Sequence, residues 1–306
     1  MSGRTTVETQ RMGTAMPGSG IVLCLFGVPS IDLGDNPHPL TSSAARLAAY
    51  LALGPRSGRI RSLAAAHLYP DSPPPLARRR LNTAAWRLNH EIRAAYGDDL
   101  IVTPHGSQTI GIDGAARITV DVWAFSDLVS GLVRVPPHAI TIADVERLEQ
   151  AVHLYRGQLA PAVEDEWVLG ERARIENLYL IALSHLVRYY GTVADVEGIA
   201  RFGERALDVE PVREDIHRAL MRAYAASGRQ DLVESQFERC RITLQRVLQV
   251  APMPQTVELF RRLAAPTDFA CEEVTALLAD LNQARRDLTQ VWGRLDSVVE
   301  RVQRLR

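Results

Sequence analysis

The chain contains no lysine. All 35 of its Lys+Arg residues are arginine, set against 36 Asp+Glu, for a formal net charge of −1 over 306 residues. This arginine-only usage, beside abundant Ala, Leu and Val, speaks of GC-rich codons and not of chemistry. No Walker loop, GxSxG or HExxH sequence occurs, and no convincing pair of acids, so the chain reads as a non-enzyme without a cofactor. Cysteine is scarce: Cys24, Cys240 and Cys271 stand apart, with no CxxC and no histidine at metal-ligand spacing. They read as small residues in a reducing compartment, with neither a metal site nor a disulfide framework. No run of about 18 or more apolar residues exists, which argues against a membrane span. The N-terminus lacks a basic segment leading into an apolar one, so a cytoplasmic, nucleoid-associated protein is expected.

What is present is concentrated between residues 60 and 113. Ser62 precedes the run Leu63 to Leu68, Pro70 stops it, and Ser72 followed by Pro73, Pro74 and Pro75 supplies a cap and fixed-φ residues for a second helix. That helix is expected over about 76–95, ending before Gly97. Ala77, Leu81, Ala84, Ala85, Leu88 and Ile92 recur at three-to-four-residue spacing and share one face. A rotation of about 100° per residue then puts Arg79, Thr83, Trp86, Arg87, His90 and Arg93 on the opposite side. From residue 56 to 93, eight arginines stand against Asp71 and Glu91, a local excess of six positive charges in a nearly neutral chain.

Leu100–Thr103 and Thr109–Ile112, two β-branched runs around a Gly-containing loop, read as a hairpin with His105, Ser107 and Gln108 at its tip. Short helix, turn, arginine-bearing helix and hairpin, in that order, are the layout of a winged helix-turn-helix. An arginine-rich helix face taken alone reads as solvated surface; its place after a short helix and a turn favours duplex DNA. On that reading Arg79, Thr83, Arg87 and His90 face base edges, while Arg46, Arg59, Arg61, Arg78, Arg80 and Arg93 lie near phosphates, with the wing tip beside them.

Upstream, residues 1–19 are expected to be disordered. Ile21–Gly27 reads as a buried strand, Ser30–Leu33 as a second after the Val28-Pro29 turn, and Ser42 or Ser43 as the cap of a helix whose Ala44, Leu47, Ala48 and Leu51 form an apolar stripe ending at Gly54.

The stretches Leu23-Cys24-Leu25-Phe26-Gly27-Val28-Pro29, Arg46 to Leu53, His67 to Pro74, Ala77 to Asn82, Trp86-Arg87-Leu88 and Asp121-Val122-Trp123-Ala124-Phe125 together resemble the Streptomyces antibiotic regulatory proteins, with departures at Asn82, Asn89 and His90. The likeness runs to about residue 264. It implies an OmpR-type winged-helix domain over 20–127 and a bacterial transcriptional activator domain over 140–265. It further implies an activator that binds repeated promoter sites on double-stranded DNA, contacts RNA polymerase holoenzyme and serves a secondary-metabolite or other specialised gene cluster.

Residues 142–264 read as helical throughout. Leu186 and Leu220, Tyr190 and Tyr224, and Ala206 and Cys240 are each spaced by 34, the period of tetratricopeptide helix pairs, with Gly191 and Gly228 following the tyrosines. Taken singly, Tyr190, Tyr224 and Phe237 are core packing. The fold class expected is mainly α with a small β component: a winged helix-turn-helix, a tetratricopeptide-like helical domain, and a C-terminal coiled-coil helix over 270–306.

That last helix rests on a heptad. With Val274 at position a, Val274, Leu281, Leu288, Leu295 and Val302 fall at a, and Leu277, Ala284, Val291, Val298 and Leu305 at d, every one apolar. Leu278, Trp292 and Val299 at e widen the stripe beyond two-strand needs, which points to a trimer, a larger bundle or a partner surface over a simple zipper. Self-association, a helical protein partner and docking on the chain's own helical domain all remain open at this point, with association favoured because an unpaired stripe this long is a large apolar patch. For the whole chain, the alternative to a DNA-binding regulator is a helical scaffold or signalling adaptor whose winged helix contacts protein.

Overall fold

The computed structural model describes residues 21–32, 37–96, 101–102, 108–112, 118–265 and 279–290. Residues 1–19, the wing-tip residues His105 and Ser107, Cys271, and the seam positions Val274, Leu277, Val291, Leu295, Val298, Val302 and Leu305 lie outside them. The protein is mainly helical with a small β component, and it forms two compact units: one of residues up to Ser126 joined by Leu154–Ile175, the other of Asp127–His153 and the residues from Glu176 on.

In the first unit, β1 (Ile21–Cys24), β2 (Ser30–Asp32), β3 (His38–Pro39) and β7 (Ile118–Val120) make a four-stranded sheet in the order β3-β2-β1-β7. β1 pairs antiparallel with β2 (Leu23 opposite Ile31) and parallel with β7 (Leu23 opposite Val120). Three helices follow the first three strands: α1 (Ser42–Ala52), α2 (Arg61–Leu68) and α3 (Pro74–Tyr96). The hairpin of β5 (Ile101–Val102) and β6 (Thr109–Ile112) sets Ile101 opposite Ile112, and β4 (Arg59–Ile60) adds a third strand on β6 that has too few residues to show periodicity in sequence. Helix α4 (Asp121–Val129) comes next.

The three helix starts differ from the sequence expectation in their caps. Ser42 and Ser43 are already inside α1. Thr41 stands before them, and its amide and hydroxyl both donate to the Glu91 carboxylate at 3.1 and 2.6 Å, a favourable place for an acid at a helix N-terminus. Ser62 lies inside α2, whose first amide, that of Arg61, donates to the Gln108 carbonyl at 2.7 Å. For α3 the accepting residue is Pro73, whose carbonyl takes the amides of Leu76 and Ala77; the Ser72 hydroxyl accepts from Arg80 instead.

Residues 155–165, expected to be helical, are not. Phe26 and Leu159 form an isolated antiparallel bridge, and the amides of Gly27 and Ala160 donate to the carbonyls of Gln158 and Leu25. Arg172 then donates to the carbonyls of Leu159 (2.7 Å), Ala160 and Val163. Backbone groups that a helix would satisfy internally are satisfied by the backbone of residues 25–27, just past β1, and by one guanidinium.

The second unit contains a 3-10 turn (Pro137–Ala139), α5 (Ile142–Leu154), α6 (Glu166–Thr192, its residues to Ile175 lying in the first unit), α7 (Val196–Val209), α8 (Glu214–Ala226), α9 (Gln230–Val247) and α10 (Pro254–Ala264). Thr141 and Asp144 form a capping box on α5, with the Asp144 amide donating to the Thr141 hydroxyl and the Thr141 amide to the carboxylate. Helices α6 and α8 end 34 residues apart, at Thr192 and Ala226, and α7 and α9 begin 34 apart, at Val196 and Gln230. Leu186 and Leu220 are fully buried, as are Ala206 and Cys240, so equivalent positions do equivalent packing in successive helix pairs. Met221, Val233 and Leu259 form a cluster closed by Phe237 and Phe260, stacked at 4.1 Å. The Glu214 carboxylate fixes the start of α10 by accepting from the Met253 amide at 2.9 Å and the Thr256 hydroxyl. Among the described residues, no helix is long and apolar enough to cross a membrane.

Candidate nucleic-acid interface

Helix α3 is divided cleanly by burial. Ala77, Leu81, Ala84, Ala85, Leu88 and Ile92 are all buried, with Leu81 and Leu88 at 0% exposure. Each large aliphatic side chain so placed contributes about 1.5–3 kcal/mol, which holds the helix rigidly on α1 and α2. Arg78, Arg79, Arg80, Thr83, Trp86, Arg87, His90 and Arg93 are all exposed. The split follows from the 3.6-residue repeat, because the residues that anchor the helix dictate which ones face water.

Side chains on the exposed face are partly preset. The Thr83 hydroxyl donates to the Arg79 carbonyl one turn back at 3.0 Å. Arg87 donates to the Ser43 hydroxyl at 3.2 Å, Arg80 to Ser72 at 2.8 Å. Trp86 and His90 stack at 5.0 Å with an interplanar angle of 11°. Between α1 and α3 lies a groove of about 380 Å³ lined by Ser43, Tyr69, Leu76, Arg79, Arg80, Thr83, Ala84 and Arg87. Three guanidinium groups and no carboxylate line it, so it is a place for an anion. Burial pushes the Tyr69 phenol up while Arg46, Arg80 and Arg87 pull it down.

The residues expected near phosphates divide. Arg78, Arg80 and Arg93 are exposed and Arg61 is half-buried at the start of α2. Arg46 instead forms a bidentate pair with Asp165, its Nε 2.6 Å from Oδ2, and also lies 5.3 Å from the Tyr69 ring centroid. The Arg46 hydrogen bond holds the Asp165 carboxyl below its ordinary value. Arg59 sits over the Tyr50 ring at 4.4 Å and donates to the Leu53 carbonyl at 3.3 Å. Both side chains are engaged by the protein itself. Gln108, from the expected wing tip, is exposed, and its carbonyl is the partner of the Arg61 amide.

Sequence reasoning missed Ser43, Tyr69 and Asp165. Tyr69 follows a helix and precedes a proline, which gives it no periodic signature, and Asp165 is 119 residues from its partner. Behind the face, buried Asp121 accepts the amides of Leu25, Phe26 and Val122 at 2.7–2.9 Å, tying the end of β1 to the first turn of α4. Burial pushes its carboxyl up to about 6 despite the three amides. Among the described residues no group of three or more His, Cys, Asp or Glu could hold a metal ion.

Residues 120–264 match the family model described as the bacterial transcriptional activator domain. The fold is similar to that of EmbR from Mycobacterium tuberculosis, solved in complex with a low affinity phosphopeptide, at 18% identity and a TM-score of 0.57, covering 87% of this chain and 71% of that one. No curated protein matches the chain.

Proposed function

We propose that this protein is a sequence-specific DNA-binding transcriptional regulator of the Streptomyces antibiotic regulatory type. The supporting observation is the uncovered cationic face of α3, rigidly mounted on six buried positions and bordered by an arginine-lined groove free of acids. Helix α3 enters the major groove, where Arg79, Thr83, Arg87 and His90 meet base edges. Arg61, Arg78, Arg80 and Arg93 neutralise phosphates, and the wing at 105–108 lies alongside the backbone. Arg46 and Arg59 act one step behind, holding α1 and the start of α2 in place. Residues 20–127 form the DNA-binding domain and 140–265 an activator domain. The match of 120–264 to an activator family supports a role in promoting transcription through RNA polymerase at repeated promoter sites of a specialised gene cluster.

Gel-shift titration across salt concentrations tests this reading. Log affinity should fall steeply and linearly with log salt, with a slope of about −0.9 per neutralised phosphate. Arg87→Ala should cost about 1–3 kcal/mol of discrimination between operator and random DNA. Absence of any salt-dependent binding would favour a scaffold or adaptor whose winged helix contacts protein.

A further inference from the structure

In the helical unit, the outward sides of α6 and α8 carry arginines that the rest of the chain does not neutralise. Ile216, Leu220, Met221 and Ala223 are buried on one side of α8, which leaves Arg218 and Arg222 on the other, one turn apart. Arg188 stands on α6 at the position 34 residues before Arg222, and like it is exposed. Two hydrogen bonds tie α6, α8 and α10 together along this side. Arg213, at the start of α8, donates to the Ser184 hydroxyl of α6 at 3.1 Å, and Arg218 donates to Thr256 of α10 at 2.8 Å. The ion pairs here belong to Arg213, with Glu210 and Asp215, and to Arg262, with Glu258 at 3.7 Å. Arg188, Arg218 and Arg222 have no carboxylate partner among the described residues. Burial, and then the guanidinium groups of Arg218 and Arg262, push Arg222 below its ordinary value, so like charges are gathered where no acid offsets them. At the α6 end, a cleft of about 210 Å³ opens beside the turn at Pro137, lined by Leu180, Ile181, His185 and Arg188. His185 is 7% exposed, and its Nδ1 has no hydrogen-bond partner among the described residues.

We propose that this face is the docking groove for an acidic peptide segment of a partner protein. Carboxylates of the segment pair with Arg188, Arg218 and Arg222, whose guanidinium groups keep free N–H donors. An apolar side chain between them enters the cleft beside Leu180 and Ile181. Charge complementarity selects this occupant. A duplex would lay its continuous row of phosphates across Glu210, Asp215 and Glu258 as well, and it gains nothing from an apolar notch. Separate carboxylates on a peptide meet the three unpaired cations and pass the acids by. The inference concerns the helical unit alone and stands whether or not α3 reads DNA.

Fluorescence anisotropy of the full chain with a labelled peptide of aspartates interspersed with leucines reads the site. Binding should saturate at micromolar protein and weaken as salt rises. The same peptide with asparagine in place of aspartate should bind at least about tenfold more weakly. Arg188→Glu combined with Arg222→Glu should cost the aspartate peptide a similar factor, whereas Arg241→Glu combined with Arg246→Glu, the same charge change on α9, leaves it unaffected. All four positions are exposed, so both variants should keep the far-ultraviolet circular dichroism of the wild-type chain. A wild-type chain that does not bind the peptide overturns the proposal, as does equal binding of the asparagine peptide. Binding that survives the Arg188 and Arg222 changes, or falls equally with the α9 changes, overturns it too. So does displacement of the peptide by random duplex DNA, which would make the bound surface one for phosphates.

Discussion

Ala194 and Gly228 occupy the same place in successive helix pairs, two residues past the ends of α6 and α8, and both hold left-handed backbone, at φ +55° and +71°. The turn that reverses the chain demands this conformation whatever residue stands there, and only one of the two repeats supplies the residue suited to it. A left-handed L-residue costs about 1–2 kcal/mol, and the extra unfolded-state freedom of glycine takes back about 0.4–1.

Ala194→Gly should therefore stabilise the chain by about 0.5–1 kcal/mol, and Gly228→Ala should destabilise it by a similar amount. A Cβ at 228 meets nothing within 4 Å, so backbone strain alone is being read. Urea denaturation of both variants measures the two signs, and equal signs would refute the equivalence.

This pair also shows where the sequence is legible. The 34-residue spacing of Leu186 with Leu220 and Ala206 with Cys240 is visible because buried positions tolerate few residue types. The sequence pattern pairs Gly228 with Gly191, which lies inside α6, because a left-handed alanine gives no sign of itself. Likewise the buried face of α3 is written in a 3.6-residue repeat. The Glu91 cap on Thr41, the Asp165 partner of Arg46 and the two-residue strand β4 depend on residues brought together from 50 to 119 positions apart, or on elements too short to carry a period. The loop of 155–165 is hidden for a related reason: its order comes from Arg172 and from the backbone of residues 25–27, just past β1.

Gly198 tests the packing of the first helix pair. A Cβ there would lie 2.5 Å from the Tyr190 ring, which cannot easily retreat: it stacks on Phe202 at 5.6 Å and its hydroxyl donates to Glu149 at 2.7 Å. Alanine gains about 1 kcal/mol of helix propensity, against an overpacking cost of about 1–3 kcal/mol. The overlap wins, and Gly198→Ala should lower the midpoint of thermal unfolding. A raised midpoint would show that the ring moves freely.

Asp121 should make stability depend on pH in the direction opposite to an ordinary surface carboxylate. Its folded value of about 6 lies above the ordinary 3.8, so between those values the folded chain holds more protons than the unfolded one. The contribution of this group then falls by about 3 kcal/mol as pH rises through that window. Asp121→Ala abolishes the slope and leaves three amides without their acceptor, so it should be less stable throughout, by the widest margin at low pH. Denaturation at a series of pH values reads the gap, and a gap that widens toward neutrality contradicts this account.

The Arg46–Asp165 pair separates framework from DNA contact. Side-chain exposures of 29% and 19% make it neither fully solvated nor fully buried, and bidentate geometry with partial screening gives an expected coupling of about 1–2 kcal/mol in a double-mutant cycle. Since Arg46 holds the Asp165 carboxyl low, that stability is present above the ordinary carboxylate value and disappears as pH falls through the lowered one. Arg46→Ala and Asp165→Ala should destabilise the chain alike while leaving the salt slope of DNA binding unchanged. Arg78→Ala should do the reverse, keeping stability and making the slope shallower by about 1. If Arg46→Ala alone flattened the slope, the guanidinium would have to leave Asp165 for a phosphate in the complex, and the acid would then be a latch that DNA opens.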